Sequence, residues 1–217
     1  SNPYKSPTDM GVNMVGFCIS DDEVCCDASK DEIIRRYYDA TNKMAKGACN
    51  ENEISKIQML FNQAKINTDF RRTTVAAKEC LKRTGHTSSA IELEDGTIVT
   101  AHSSLLLGCS AALLLNVMKH LAGIDHDTKL IPQSMIEPIQ YTKVNYLGGH
   151  NPRLHTDEVL VALSVLSNVD DRCTKALAQL PKLRGCQVHC TVMLSEVDQK
   201  IFKKLGVNLT CEPVLKK

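Results

Sequence analysis

Arg153, His155, Asp157 and Glu158 fall within one short stretch of the chain, Asn151 to Glu158, and few other places bring so many chemically versatile side chains together. A guanidinium suits an anionic group, an imidazole moves protons near neutral pH, and a carboxylate orients the imidazole or neutralises a cation. Asn151 is a favoured helix N-cap, Pro152 suits a first helical position, and Gly148-Gly149 interrupts whatever precedes them, so the spacing predicts a helix from about Pro152. At ~100° per residue, Arg153 and Asp157 share a face with Ser164, Ser167 and Asn168 and form an expected surface ion pair, which would contribute about 0.3–0.5 kcal/mol. His155 and Glu158 fall instead among Leu154, Val159, Val161, Ala162, Val165 and Leu166, where each needs a partner or a ligand. Two readings follow from that need. In one, His155 and Glu158 are candidate catalytic residues, with Asn151, Arg153 and Asp157 as candidate ligand contacts; in the other, a buried His–Glu pair locks the helix to its neighbour.

Other candidates are weaker. His102-Ser103-Ser104 before a long apolar run predicts a helix start at which Ser103 and Ser104 either hold a phosphate or carboxylate or simply cap the helix. Lys5, Thr8 and Asp9 occupy a polar loop that suits an anion or forms an extended lead-in. His189 alternates with Gln187 and Thr191 on a predicted strand, facing a cleft or solvent. Cys186 and Cys190 point to the opposite face, so the three cannot share a zinc ion, and no metal ligands are assigned. The chain carries no His-Glu-x-x-His, no Gly-x-x-x-x-Gly-Lys-Ser/Thr and no Gly-x-Gly-x-x-Gly pattern.

Composition narrows the classes. Lys and Arg number 26 against 25 Asp and Glu, aromatic residues make up 4%, and Trp is absent, which argues against nucleic acid for want of both field and stacking surface. The longest apolar run, Leu105 to Leu121, is broken by Gly108, Ser110, Asn116 and Lys119 and reads as a core helix, so no membrane partner is expected. Ten cysteines lie partly in apolar runs, unlike a disulfide scaffold, and no signal peptide is read ahead of them; a reducing cytoplasm is the expected compartment.

The elements that must position these residues follow from caps and periodicity. Residues 1–28 form a lead-in segment, with Ser1-Asn2 resembling a cloning scar. Residues 29–86 form a helical subdomain with capping boxes at Ser29/Glu32 and Asn50/Glu53, a first helix ending near Gly47, and a third helix from about Thr68 that stops at Gly85. Residues 87–217 form an α/β core domain. In it, Ala90–Glu94 and Thr97–Ala101 flank Asp95-Gly96 as a type I′ hairpin. Pro132 and Pro138 divide the next stretch into short helices, and Asp170 or Asp171 opens another. A strand from Cys186 to Leu194, a helix capped by Ser195 with Asp198 at its positive end, and a strand from Val207 to Cys211 make a right-handed parallel crossover. The fold class is α/β or α+β: a mixed sheet with a hairpin and a C-terminal βαβ unit, packed by several helices.

Six blocks, KSPTDMGVNM (5–14), EIIRRYY (32–38), DGTIVT (95–100), IEPI (136–139), NPRLHTDEVLVAL (151–163) and LRGCQVHCTVML (183–194), resemble the bacterial family known as domain of unknown function 1846. The chain departs from the family's common residues at Ala101-His102, where Gly-Lys is frequent, and at Cys190, where Ser is frequent. The resemblance implies the C-terminal domain of a protein about twice as long, whose N-terminal half is nucleotide-binding-like and carries a Gly-rich loop. Some members carry the label ATP-dependent zinc protease, which no motif in this chain supports. It follows that a nucleotide-dependent enzyme, with a cleft shared between this chain and its own N-terminal half, is one expectation; a homo-oligomeric assembly domain without chemistry is the other. No cofactor is expected for this stretch of chain by itself, and a nucleotide is expected only with the longer protein.

Overall fold

Gly96 supplies the one backbone conformation that its hairpin cannot take from another residue. In the computed structural model, which describes residues 22–48 and 51–214, its φ is +79° while Asp95 stays at negative φ. The Gly96 N–H donates to the Leu93 carbonyl (2.9 Å) and the Asp95 carboxylate accepts from the Thr97 N–H (2.9 Å). This is a type I turn closed by a left-handed glycine, not the predicted type I′ turn; the strand assignment survives because both turns reverse the chain with the same twist. The strands are β1 (Ser88–Glu92) and β2 (Ile98–His102), antiparallel, with Ala90 opposite Thr100.

Eight α-helices and a four-stranded sheet make up the described residues. The chain runs α1 (Asp22–Ala45), α2 (Glu51–Ala64), a 3-10 turn, α3 (Arg72–Thr84), β1, β2, α4 (Cys109–Leu121), α5 (Gln133–Asn145), α6 (Thr156–Leu166) and α7 (Asp171–Leu177). A second 3-10 turn, β3 (Gln187–Cys190), α8 (Glu196–Lys204) and β4 (Asn208–Cys211) complete it. Strand order is β2-β1-β3-β4, with β1 antiparallel to both neighbours and β3 parallel to β4. The class is therefore the expected mixed α/β, and β2, β3 and β4 point the same way.

Alternation along the strands divides the sheet into two faces. Ser89, Ile91, Val188 and Cys190 face α4 and join the main core with Leu113, Leu114, Leu163 and Phe202. Ala90, His189 and Thr210 face α1 and α3, where Arg71 reaches across: its guanidinium donates to Asp31 (2.7 and 3.0 Å) and to the carbonyls of Val188 (3.1 Å) and Asn208 (2.6 Å).

Several helix starts differ from the sequence expectation. α1 is already helical at Asp22, and the Ser29 hydroxyl donates back to the Cys25 carbonyl (2.8 Å) instead of capping. Asn50, like Lys5, Thr8 and Asp9, lies outside the described residues. α4 begins after an N-cap at Gly108, not at Ser103 or Ser104. Pro138 sits inside a single helix, α5; the carbonyl it leaves without a donor belongs to exposed Ser134, which water can satisfy. β3 is shorter than predicted, because the Thr191 hydroxyl turns to the Ser88 backbone and the chain bends toward α8. The predicted exit at Gly85 (φ +71°) and the Ser195 cap are both observed.

Candidate functional site

Segment 103–108 leaves the carboxyl end of β2, and segment 191–195 leaves the carboxyl end of β3. Residues 151–155 lie against the first of these: the Leu154 N–H donates to the Leu106 carbonyl (2.9 Å) and the Gly108 N–H to the Leu154 carbonyl (3.2 Å). Polar groups thus converge beyond the carboxyl ends of like-directed strands, where open α/β sheets place their ligands.

The pairing of Leu154 keeps it and the extended His155 out of the helix, so α6 starts at Thr156 with His155 as its N-cap (φ −86°, ψ 173°), four residues later than predicted. Asn151 accepts from the Arg153 N–H (3.1 Å) in a local turn. Arg153 precedes the helix, so its i,i+4 relation to Asp157 is void; its Nε donates to the Ser104 carbonyl (2.7 Å) in place of the expected ion pair. The Asp157 Oδ1 is buried with no partner among the described residues.

His155 is held by a residue that the sequence reading assigned only to a helix dipole. Its Nδ1 lies 2.9 Å from Oδ2 of Asp198, which is 1% exposed. Asp198 also accepts from the Thr156 N–H (2.9 Å), the Thr156 hydroxyl (2.9 Å) and the Ser195 hydroxyl (2.8 Å). Burial pushes the Asp198 pKa up, but His155, the Thr156 N–H and Ser195 outweigh it and hold the carboxyl at about 2. An ionised Asp198 fixes the proton of the neutral ring on Nδ1, leaving Nε2 as a lone pair on a side chain that is 20% exposed. Ser195 Oγ lies 3.3 Å from the same Nδ1, not from Nε2, so this is not a serine nucleophile activated by histidine.

Glu158 does not orient the ring as expected. Its Oε2 accepts from the His155 backbone N–H (2.7 Å) and from Lys143 Nζ (2.8 Å), and Lys143 also donates to the Arg153 carbonyl (2.9 Å). Glu158 therefore fastens the start of α6 to α5, while Asp198 aims the imidazole. Asp198, Ser195 and Lys143 are the contributors missed by sequence reasoning; Ser195 followed three residues later by an acid was visible as a helix start, but not its link to His155 across 43 positions.

The remaining candidates disperse. The Ser103 hydroxyl accepts from Thr87 (2.8 Å). The Ser104 hydroxyl accepts from the N–H groups of Leu106 (3.2 Å) and Leu107 (3.1 Å), so neither serine stands at the first turn of α4. His189 faces neither solvent nor His155. It is fully buried on the other face of the sheet, with Nδ1 2.9 Å from the Thr210 hydroxyl, Nε2 3.4 Å from Glu212, and the Tyr38 ring 5.0 Å away and tilted by 54°. Burial lowers the His189 pKa against the pull of Glu212; burial raises that of Glu212, but His189 and Lys78 bring it down to about 2. Cys190, opposite Cys211 in the ladder, is hydrogen-bonded to Cys109 and Cys211, and these bonds with burial push its thiol pKa up. Among the described residues no three His, Cys, Asp or Glu side chains are grouped to hold a metal ion, and no helix is long and apolar enough to cross a membrane.

Taken as a class, this is a mixed α/β domain with an aspartate-steadied histidine at the carboxyl edge of its sheet. The chain belongs to the DUF1846 family: residues 69–217 match domain of unknown function DUF1846, C-terminal, and residues 1–65 match domain of unknown function DUF1846, N-terminal. The expectation of a C-terminal domain alone is corrected by the second match, which assigns α1 and α2 to the N-terminal region. Relatives include a UPF0371 protein of Corynebacterium urealyticum, 52% identical over 98% of this chain and 43% of its own length. Others are the UPF0371 proteins of Corynebacterium diphtheriae, 49% identical over 100% and 44%, and of Streptococcus pyogenes, 45% identical over 98% and 43%. The chain thus spans less than half the length of the curated relatives it matches.

Proposed function

We propose that this chain contributes His155 as a general acid–base group to a cleft completed by the remaining part of the longer family protein, with a nucleotide as its ligand. The observation that carries the reading is the bond from His155 Nδ1 to an ionised, almost fully buried Asp198, which leaves Nε2 uncommitted to Asp198 on a side chain that is 20% exposed. Arg153, half-buried and anchored through Nε alone, has its terminal guanidinium nitrogens available for an anionic group. A cytoplasmic setting is part of the proposal, supported by the described cysteines all being free thiols.

The test is thermal unfolding of the full-length protein with ATP, ADP and GTP, in the wild type and in His155→Gln. A nucleotide that raises the Tm of the wild type but not of the variant supports the reading, since a ligand of the folded state stabilises by mass action. A variant that melts several degrees lower while responding to nucleotides like the wild type would overturn it.

A second reading, that the chain is an assembly domain for copies of itself or for its N-terminal half, is favoured by one specific surface. Val161 (65% exposed) and Val165 (57%) on α6, with Tyr146 (73%) and Leu147 (76%) just after α5 and Val169 (84%) just after α6, leave apolar side chains open to solvent. Under this reading Val161→Asp lowers the oligomeric mass in solution and His155→Gln leaves ligand responses unchanged.

A further inference from the structure

A cavity of about 340 Å³ opens between α4, the start of α5 and the connecting residues 126–131. Its wall is mostly apolar, with Leu106, Leu107, Ala112, Leu115, Leu130 and Ile136. Of its charged lining residues Asp127 and Lys129 are exposed, and Lys119 alone is buried. Lys119 is 9% exposed, and its ammonium donates to the carbonyls of His126 (2.5 Å) and Thr128 (3.4 Å). An ammonium has three protons to place, and these two acceptors are neutral. Among the described residues Lys119 has no carboxylate within salt-bridge distance; Asp125 and Asp127 act on it only from farther away and are both exposed. The carbonyls and the nearby C-terminal end of α4 supply partial negative charge, but no carboxylate of the described residues reaches the buried ammonium, that of the exposed cavity-lining Asp127 included. The cost of that arrangement shows in the Lys119 pKa, which burial lowers.

We infer that this cavity binds a small amphipathic carboxylate, its hydrocarbon part among Leu106, Leu115 and Ile136 and its carboxylate on the Lys119 ammonium. The size suits a small ligand, and apolar walls with one placed polar group are what such sites offer. One buried ammonium, with Lys129 exposed and no arginine fork in the wall, matches the single charge of a carboxylate better than the dianion of a phosphate. The site is independent of His155 and would stand if the acid–base reading fell.

The experiment uses isothermal titration of the full-length protein with octanoate and with octanamide, its neutral counterpart. Octanoate should bind at one site, and octanamide about ten- to hundredfold more weakly, the range expected for losing one charge-assisted hydrogen bond. Lys119→Met should abolish that preference, leaving both probes equally weak. Because Lys119 also holds the 126–128 backbone, a second variant guards against misfolding: Ala112→Phe fills the chamber without touching the ammonium and should remove octanoate binding with the melting profile retained. Equal binding of the two probes, octanoate binding that persists in Ala112→Phe, or no heat of binding up to the solubility of octanoate would each overturn the inference.

Discussion

Replacing Asp198 by Asn changes one atom type at the point where α6 and α8 meet, and its effect can be worked from the structure. The Asn carbonyl can still accept from the Thr156 N–H and hydroxyl, as Oδ1 does at 2.9 Å in both cases. The amide nitrogen would instead face Ser195 and the His155 Nδ1, two groups that now donate to Oδ2. A folded-state pKa of about 2, against an ordinary 3.8, corresponds to roughly 2 kcal/mol of stability from the ionised carboxylate. Losing the charged acceptor while retaining the Thr156 side gives an expected cost of about 2 kcal/mol, or about 4–8 °C in Tm for a chain of this length. Because the folded pKa is depressed, this stability is fully present above pH ~4 and is lost as pH falls toward ~2, so the gap between wild type and Asp198→Asn should close in that window. The same substitution should move the neutral His155 proton from Nδ1 to Nε2, which long-range proton–nitrogen NMR correlations detect directly. Equal melting at pH 7, or a wild-type ring already protonated on Nε2 alone, would refute the assignment of Asp198 as the group that aims His155.

Two further outcomes test the opposite face of the sheet. Arg71→Met should cost about 3 kcal/mol, read from the urea midpoint, because it leaves the Asn208 carbonyl without that bond, Asp31 with only the longer Arg35 contact (3.5 Å) and the Val188 carbonyl with the Thr210 hydroxyl; Arg71→Lys should recover little, since one ammonium cannot reproduce the fork. His189 has its pKa lowered by burial, so the unfolded chain takes up a proton that the folded chain resists, and stability should fall as pH drops below ~6.5. The urea midpoint should be lower at pH 5 than at pH 7, with a smaller difference in His189→Asn; an unchanged difference would assign the acid sensitivity to other groups.

Where a signal was local, the sequence disclosed the structure. Asp95-Gly96 marked the hairpin, Gly85 the end of α3, and Ser195 the start of α8, since each depends on the conformational or capping needs of one or two residues. Helix starts were misplaced where distant backbone competed with a local cap. Pro152 and Asn151 are good helix openers, yet Leu154 is drawn into pairing with Leu106 and Gly108, and the same pairing keeps Ser103 and Ser104 off α4. That His155 and Glu158 both needed partners was legible from their apolar neighbours. That the partners are Asp198 and Lys143 was not, because the bonds join residues 43 and 15 positions apart. His189 was misread for a related reason: a strand's alternation identifies two faces, but helices from far upstream decide whether the polar one is dry.

The seam between the two family regions, at residues 65–69, runs through a joint that is mechanically shared. From the upstream side, Arg35 bonds the Asn208 side chain (2.7 Å), Asn42 bonds the Cys211 carbonyl (2.8 Å), and Tyr38 bonds Glu212 (3.1 Å). Trimming a protein of this family at that seam would lift a lid from His189 and Thr210 and wet a surface built to stay dry. Any dissection of the two halves should therefore keep α1 with the sheet it covers.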